Sequence, residues 1–141
     1  MDTTGWLLLA GSILVAGGMQ GYNIYRIEEF MRRTKGVIRF RPDLENVKEI
    51  INLNMRMAVV YIVLYVIFFI VIALMFFGGK MGQAVIIMFF FGIITLPFGL
   101  IGKSFEKKVK NLKIESNDPG IAETYQRWLV QWKEARFQLP D

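Results

Sequence analysis

Residues 57–78 read MAVVYIVLYVIFFIVIALMFFG, and neither a charged side chain nor a proline interrupts them. As a helix that rises about 1.5 Å per residue, this stretch is about 33 Å long, enough to cross the roughly 30 Å hydrocarbon core of a bilayer. Residues 83–102, QAVIIMFFFGIITLPFGLIG, are nearly as long and also lack an ionisable side chain. The sequence therefore predicts a transmembrane helical hairpin with its turn at residues 79–82.

The N-terminal residues 5–25 form the third candidate span. They carry no charge but contain many glycines, which favour insertion less than Leu, Ile, Val or Phe. In a helix, one side of this stretch collects small residues that would let another helix approach closely, so we predict a packing face on protein. Glycine is also frequent in transmembrane helices without such a role, which is the alternative interpretation. The face comprises Ala10, Gly11, Leu14, Gly17, Gly18 and Gly21, with Gly17 and Gly21 spaced as a GxxxG pair.

A second stripe of small residues runs along the third span. Gly92, Thr95, Gly99 and Gly102 fall on one side of a helix over residues 83–102. Pro97 removes one backbone hydrogen bond and is expected to bend this helix. We therefore predict a helix-packing seam beside a bend. By contrast, residues 57–78 have almost no small side chains and are predicted to pack through bulky groups and to face lipid.

Basic residues are concentrated between the first two spans and after the third. Residues 26–56 contain eight Lys or Arg residues against five acids, and the C-terminal segment 103–141 begins with a run of lysines. Positively charged loops favour the cytoplasmic side, so both segments are predicted to be cytoplasmic and the N-terminus to lie outside. We therefore predict an all-α integral membrane protein of the cytoplasmic (inner) membrane, with one domain over residues 1–141 and three transmembrane helices.

The net charge of +5 has two readings. A basic chain can bind nucleic acid, but here the basic residues flank apolar spans, where contact with anionic lipid headgroups explains them more simply. We expect no nucleic-acid partner. The predicted headgroup contacts are Arg32, Arg33, Arg39, Arg41, Lys107 and Lys108.

The loop between the first two spans has its own pattern. The first helix is expected to continue to about Arg33 and to end at Gly36. Residues 36–41 alternate in the manner of a short strand, which would need a sheet edge in a partner, or else form an extended linker along the headgroups. Asp43 is a suitable N-cap for a helix that then runs without a break to Gly78.

The C-terminal segment predicts an amphipathic cytoplasmic helix. Asp118 can cap it, with Pro119 at its first position, where a missing N–H does no harm. Tyr125, Trp128 and Trp132 would then contact the inner leaflet or a groove on a partner; alternatively, this helix folds back on residues 43–55. Its apolar seam comprises Ile121, Tyr125, Trp128, Trp132 and Ala135.

The chain lacks the residues that several kinds of chemistry need. The chain has neither Cys nor His, which excludes disulfides, Cys or His metal sites and catalysis by thiol or imidazole. Transporters and proton pumps usually place ionisable groups within the bilayer, and none lies in the core of the three spans. We expect no enzymatic activity, no cofactor and no metal ion.

Three classes of function compete. The first is a non-catalytic accessory subunit of a larger membrane complex, whose partners are other integral membrane subunits. The second is a self-assembling pore or membrane-shaping homo-oligomer that repeats the glycine seams in a ring. The third is an enzyme or carrier that acts on lipid headgroups through the four arginines at positions 32, 33, 39 and 41. An assembly factor or anchor would differ from the first class only in leaving the finished complex.

Overall fold

The computed structural model describes residues 3–134 and 137–140. Ala135, the last residue of the predicted C-terminal seam, lies outside the described residues. Within the described part, the chain forms four helices and two very short strands. In order they are α1 (Thr3–Thr34), β1 (Val37–Ile38), α2 (Arg41–Phe77), α3 (Met81–Lys110), β2 (Lys113–Ile114) and α4 (Pro119–Trp132).

The three long helices contain the three predicted spans. Each of α1, α2 and α3 is long and apolar enough to cross a membrane, and α1 has the lowest mean hydropathy of the three. They pack pairwise against one another. In the middle of the second and third predicted spans, the Phe68 and Phe91 rings stack with centroids 3.9 Å apart. The apolar core that extends from there towards the α2–α3 turn comprises Leu9, Phe68, Ile72, Met75, Ala84 and Ile87.

α1 ends at Thr34, close to Gly36, where the sequence predicted its end. Lys35 and Gly36 both adopt positive φ values, 55° and 74°, which a helix cannot continue and which glycine accepts because it has no Cβ. β1 then pairs in parallel with β2, and the Lys113 N–H donates to the Gly36 carbonyl at 3.0 Å. The short strand is therefore confirmed at Val37 and Ile38, but the expected sheet edge in a partner was wrong, because the chain itself supplies the edge.

The start of α2 differs from the prediction by a few residues. Phe40, not Asp43, occupies the N-cap, and Asp43 lies at the third helical position. From there its carboxylate accepts the backbone N–H groups of Arg39 and Phe40, both at 3.2 Å. An acid at this position satisfies donors that precede the helix, and Pro42 fits the first turn because it lacks an N–H. Asp43 thus stabilises the helix start from inside the helix.

A second apolar core joins the two segments that were predicted to be cytoplasmic. It is built from the C-terminal part of α1, the first turns of α2, the end of α3 and one face of α4. α4 begins as predicted, with the Asp118 carboxylate accepting the Gly120 N–H at 2.9 Å. The loop of residues 26–56 and the C-terminal segment therefore meet at one end of the helix bundle. Buried members of this core include Ile27, Phe30, Ile38, Val47, Ile51, Val109, Tyr125 and Trp128.

Candidate functional site

The small-residue face of α1 points away from the chain's own helices. Gly11, Gly18 and Gly21 are exposed, and no other described part of the chain comes within 4 Å of a Cβ placed on them. The opposite side of α1 is buried, with Leu9 and Asn23 in contact with the bundle. The predicted packing face is thus uncovered by the protein itself.

The GxxxG pair is split between two surroundings. Gly17 faces the bundle, where a Cβ would lie 3.6 Å from the Phe98 ring, whereas Gly21 faces outward. The pair therefore does not form one close helix–helix contact within the chain.

The stripe on α3 is also divided. Gly92 and Gly99 are exposed, and within the described chain no atom outside their own helix approaches a Cβ placed on either one within 4 Å. Gly102 is the position of close approach, because its Cβ would lie 2.8 Å from the Gln20 amide nitrogen. Thr95 satisfies its hydroxyl inside its own helix by donating to the Phe91 carbonyl at 2.7 Å. Of these four residues, Gly102 is the one that brings α3 against the polar side chain of α1.

Polar side chains join the helices at the end of the bundle that carries the second core. Asn23 and Asn54 form a reciprocal amide pair between α1 and α2, with both N–H···O distances at 3.0 Å. The Tyr61 hydroxyl lies 3.2 Å from the Ala16 carbonyl oxygen and 3.4 Å from the Gln20 side-chain oxygen. The sequence places Gln20 and Asn23 near the end of the first predicted span, but it does not reveal their partners on α2. The sequence feature that indicates such a contact is an amide side chain within an apolar run, because a buried amide needs a hydrogen-bond partner on another helix.

An open cavity of about 280 Å³ lies between the three long helices beside these polar groups. Its apolar wall includes Ile13, Ile94 and Phe98, while Gln20 and Asn54 contribute polar groups at one end. Glu106, which also lines it, forms an ion pair with Lys110. The cavity therefore has an apolar body and a polar end.

The aromatic face of α4 is turned inward. Tyr125 and Trp128 are 1% and 5% exposed, so the structure shows the alternative in which this helix folds back on the chain. The Tyr125 hydroxyl donates at 2.6 Å to the carbonyl of Val109, which lies in the last turn of α3 and lacks a helical partner. Burial raises the pKa of Tyr125 above its ordinary value. Trp132 is half-buried, with the Lys110 ammonium 5.0 Å from its ring centre. Tyr125 and Trp128 thus contact the protein's own core.

The six predicted headgroup residues are all exposed. Arg39 and Arg41 pair with Glu115 and Asp118 at 3.5 Å, in exposed ion pairs of the kind that add little stability. Lys107 and Lys108 line a shallow groove that also includes Lys35 and Lys113, two basic residues that we had not assigned to headgroups. The role of all these residues in headgroup binding stays a prediction.

Residues 3–134 and 137–140 bring together no group of three or more His, Cys, Asp or Glu side chains that could hold a metal ion. The features that can support a function are therefore the open α1 face and the cavity between the helices. No protein-family model matches this sequence, and comparison with curated proteins and with solved structures finds no significant match.

Proposed function

We propose that this protein is a non-catalytic small subunit of a larger complex in the cytoplasmic membrane, where it packs on other integral subunits and stabilises them. The observation that supports this proposal is the uncovered small-residue face of α1. Gly11, Gly18 and Gly21 leave space along this helix that no described part of the chain fills. We assign a transmembrane helix of a different subunit to that space.

The physical argument concerns what can cover such a face. Lipid tails are as apolar as leucine, so helices associate in a bilayer mainly through close packing, which small residues permit. α1 is also the least apolar of the three spans, and only 17% of its most apolar 18-residue window is buried inside the protein. A neighbouring helix would stabilise this helix in the membrane through contacts that lipid does not provide.

The spans themselves argue against a catalytic or transport role. No Asp, Glu, Lys, Arg or His occurs in residues 5–25, 57–78 or 83–102. A proton or ion path through these helices would lack the sites that such paths usually use. Packing against other subunits needs no such group.

Cross-linking from a single cysteine tests the proposal, since the natural chain has none. Leu14 lies on the small-residue face and is 76% exposed, so Leu14→Cys can carry a benzophenone maleimide. We expect photolysis in native membranes to yield an adduct with an integral protein of different sequence, in the same ratio in every preparation. The matched control is Val66→Cys on the exposed side of α2, which should give little of this adduct.

A second substitution shows whether the face itself is responsible. Gly18→Leu, added to Leu14→Cys, should lower the adduct yield about tenfold, because a leucine there prevents close approach. Ala73→Leu makes the same kind of change at an exposed position of α2 and should leave the yield unchanged. Adducts between two copies of this chain alone would instead favour a self-assembling homo-oligomer, and adducts with lipid alone would contradict any protein partner.

A further inference from the structure

The buried amide of Gln20 lacks a partner on one side. Gln20 is 5% exposed, and its Nε2 atom makes no hydrogen bond to any described residue. On its other side, the Oε1 atom lies 3.4 Å from the Tyr61 hydroxyl, which also reaches the Ala16 carbonyl. Interchanging Oε1 and Nε2 would still leave one of these atoms without a hydrogen bond, because one atom of the amide faces the Tyr61 hydroxyl and the other faces Gly102 in either orientation. An amide buried in this way calls for an additional partner.

The cavity supplies room for that partner. Gln20 is part of the lining of the 280 Å³ cavity between α1, α2 and α3. Pockets for drug-sized ligands usually start near 300 Å³, so this cavity suits one chain or one ring rather than a large cofactor. Most of its wall is apolar, with Ile13, Ile94 and Phe98 among the lining residues, and Ser12, Asn54 and Glu106 add further polar groups. The site thus combines the unpaired amide with a largely apolar slot.

The depth of the amide in the membrane indicates which molecules can reach it. Gln20 Nε2 lies beside Gly102, directly before Lys103 and at the predicted end of the third span. This is the boundary between hydrocarbon and headgroups, where the ester carbonyls of membrane lipids reside. From Gly102 the cavity extends along α3 to Phe91, a distance of about 16 Å towards the middle of the bilayer.

The cavity is partly open to its surroundings. Ala58 on α2 and Gly99 on α3 belong to its lining, are exposed and have small or no side chains, so we place the entrance beside them. A molecule already dissolved in the bilayer can enter there without crossing water.

We propose that the cavity binds a membrane amphiphile whose carbonyl oxygen accepts a hydrogen bond from Gln20 Nε2 when the amide turns from Gly102 into the cavity, with one apolar chain or ring lying along α3. Two bilayer molecules carry this chemistry: an acyl ester of a glycerolipid and the ring of a quinone. Binding is independent of any partner subunit, because the lining comes from this chain alone.

Thermal unfolding of the detergent-purified full chain tests this proposal with three probes. The probes are a monoacylglycerol, the corresponding alkylglycerol ether, which lacks the carbonyl, and a short-chain benzoquinone. We expect the ester, the quinone or both to raise the melting temperature at concentrations three- to tenfold lower than the ether requires, as the loss of one hydrogen bond implies. An effect of the ester alone would identify a lipid site, and an effect of the quinone alone a quinone site.

Two variants link the effect to the cavity. Gln20→Leu keeps the size of the side chain but removes the donor, so the preference for a carbonyl should disappear, while the matched control Gln83→Leu at the other end of α3 should retain it. Gly99→Leu places a side chain in the cavity and should reduce the rise in melting temperature that each of the three probes causes. Equal effects of ester, quinone and ether on the natural chain, or a carbonyl preference that survives Gln20→Leu, would overturn the proposal.

Discussion

At the scale of single residues, a few polar side chains determine where the apolar helices meet. Asn23 is 1% exposed and forms its reciprocal amide pair with Asn54 at the boundary of the first span. Asn23 is enclosed by the protein itself, so an amide that loses its partner there has few alternatives. The pair therefore fixes the register of α1 against α2, which the surrounding apolar contacts do not specify.

Replacing Asn23 by Ala should destabilise the packing of α1 on α2 by about 1–2 kcal/mol, because the Asn54 oxygen loses its donor. Reversible unfolding of the detergent-solubilised protein in increasing SDS measures this change. Asn111→Ala, at an exposed position after α3, is the matched control and should have little effect. If Asn23→Ala and Asn54→Ala had strictly additive effects in a double-mutant cycle, the pair would not be coupled and this account of the register would be wrong.

For the glycines, the helical pattern does not by itself give the rotation of α1 about its axis. Periodicity alone places Gly17 and Gly18 on the same third of the α1 circumference, but Gly17 lies against Phe98 and Gly18 faces outward. Neighbouring residues are about 100° apart, so a small rotation of the helix separates them. That rotation is set by Asn23 and Gln20, whose partners on α2 and α3 are distant in sequence and cannot be read from a local pattern.

At the scale of elements, α4 is held by its own buried face. Trp128 is 5% exposed and packs in the second core, whereas Val130 on the other side of the same helix is 63% exposed. The short β1–β2 pair holds the entry to α2 beside the exit from α3, and α4 closes over the junction. α4 and the strand pair together make this end of the bundle a compact unit.

Trp128→Ala should therefore undock α4, with a loss of about 3–5 kcal/mol, as expected when a large buried aromatic side chain is removed. Limited trypsin digestion in detergent measures the result, because undocking frees the backbone around Lys113 and Arg127, whose side chains are already exposed, for cleavage. Val130→Ala on the exposed face should leave the digestion pattern unchanged. Equal protease resistance of both variants would show that α4 is held by something other than this core.

Elements that depend on local chemistry were predictable from the sequence, and those that depend on distant pairing were not. Asp118 and Pro119 start α4 where the capping rules place it, and Gly36 precedes the change of direction after α1. The partner of β1 escaped prediction because Lys113 and Ile114 form a strand too short to show alternation. The inward face of α4 was one of two alternatives, since an apolar helical face has the same pattern against protein or lipid.

At the scale of the whole molecule, the bundle has two ends with different character. The end with the α2–α3 turn is apolar, whereas the opposite end gathers the loop, the C-terminal segment and most of the basic residues. Three membrane crossings by α1, α2 and α3 would place these two ends on opposite sides. The charge asymmetry predicts that the basic end is cytoplasmic.

Single cysteines at exposed positions check this orientation. In intact cells, a membrane-impermeant maleimide should label Gly82→Cys beside the α2–α3 turn but should label Asn117→Cys, between β2 and α4, only after permeabilisation. Both positions are exposed, so accessibility on the protein itself does not distinguish them. Labelling in the reverse pattern would invert the topology, and equal labelling of both in intact cells would contradict membrane insertion.

If this chain works as one subunit among different ones, native mass spectrometry of material released from its own membranes in mild detergent should reveal its partners. We expect the 16.3 kDa chain in a fixed ratio with other integral membrane polypeptides. A mass of 16.3 kDa alone, or an integer multiple of it with no other polypeptide, would show that the chain is not a subunit of a mixed complex.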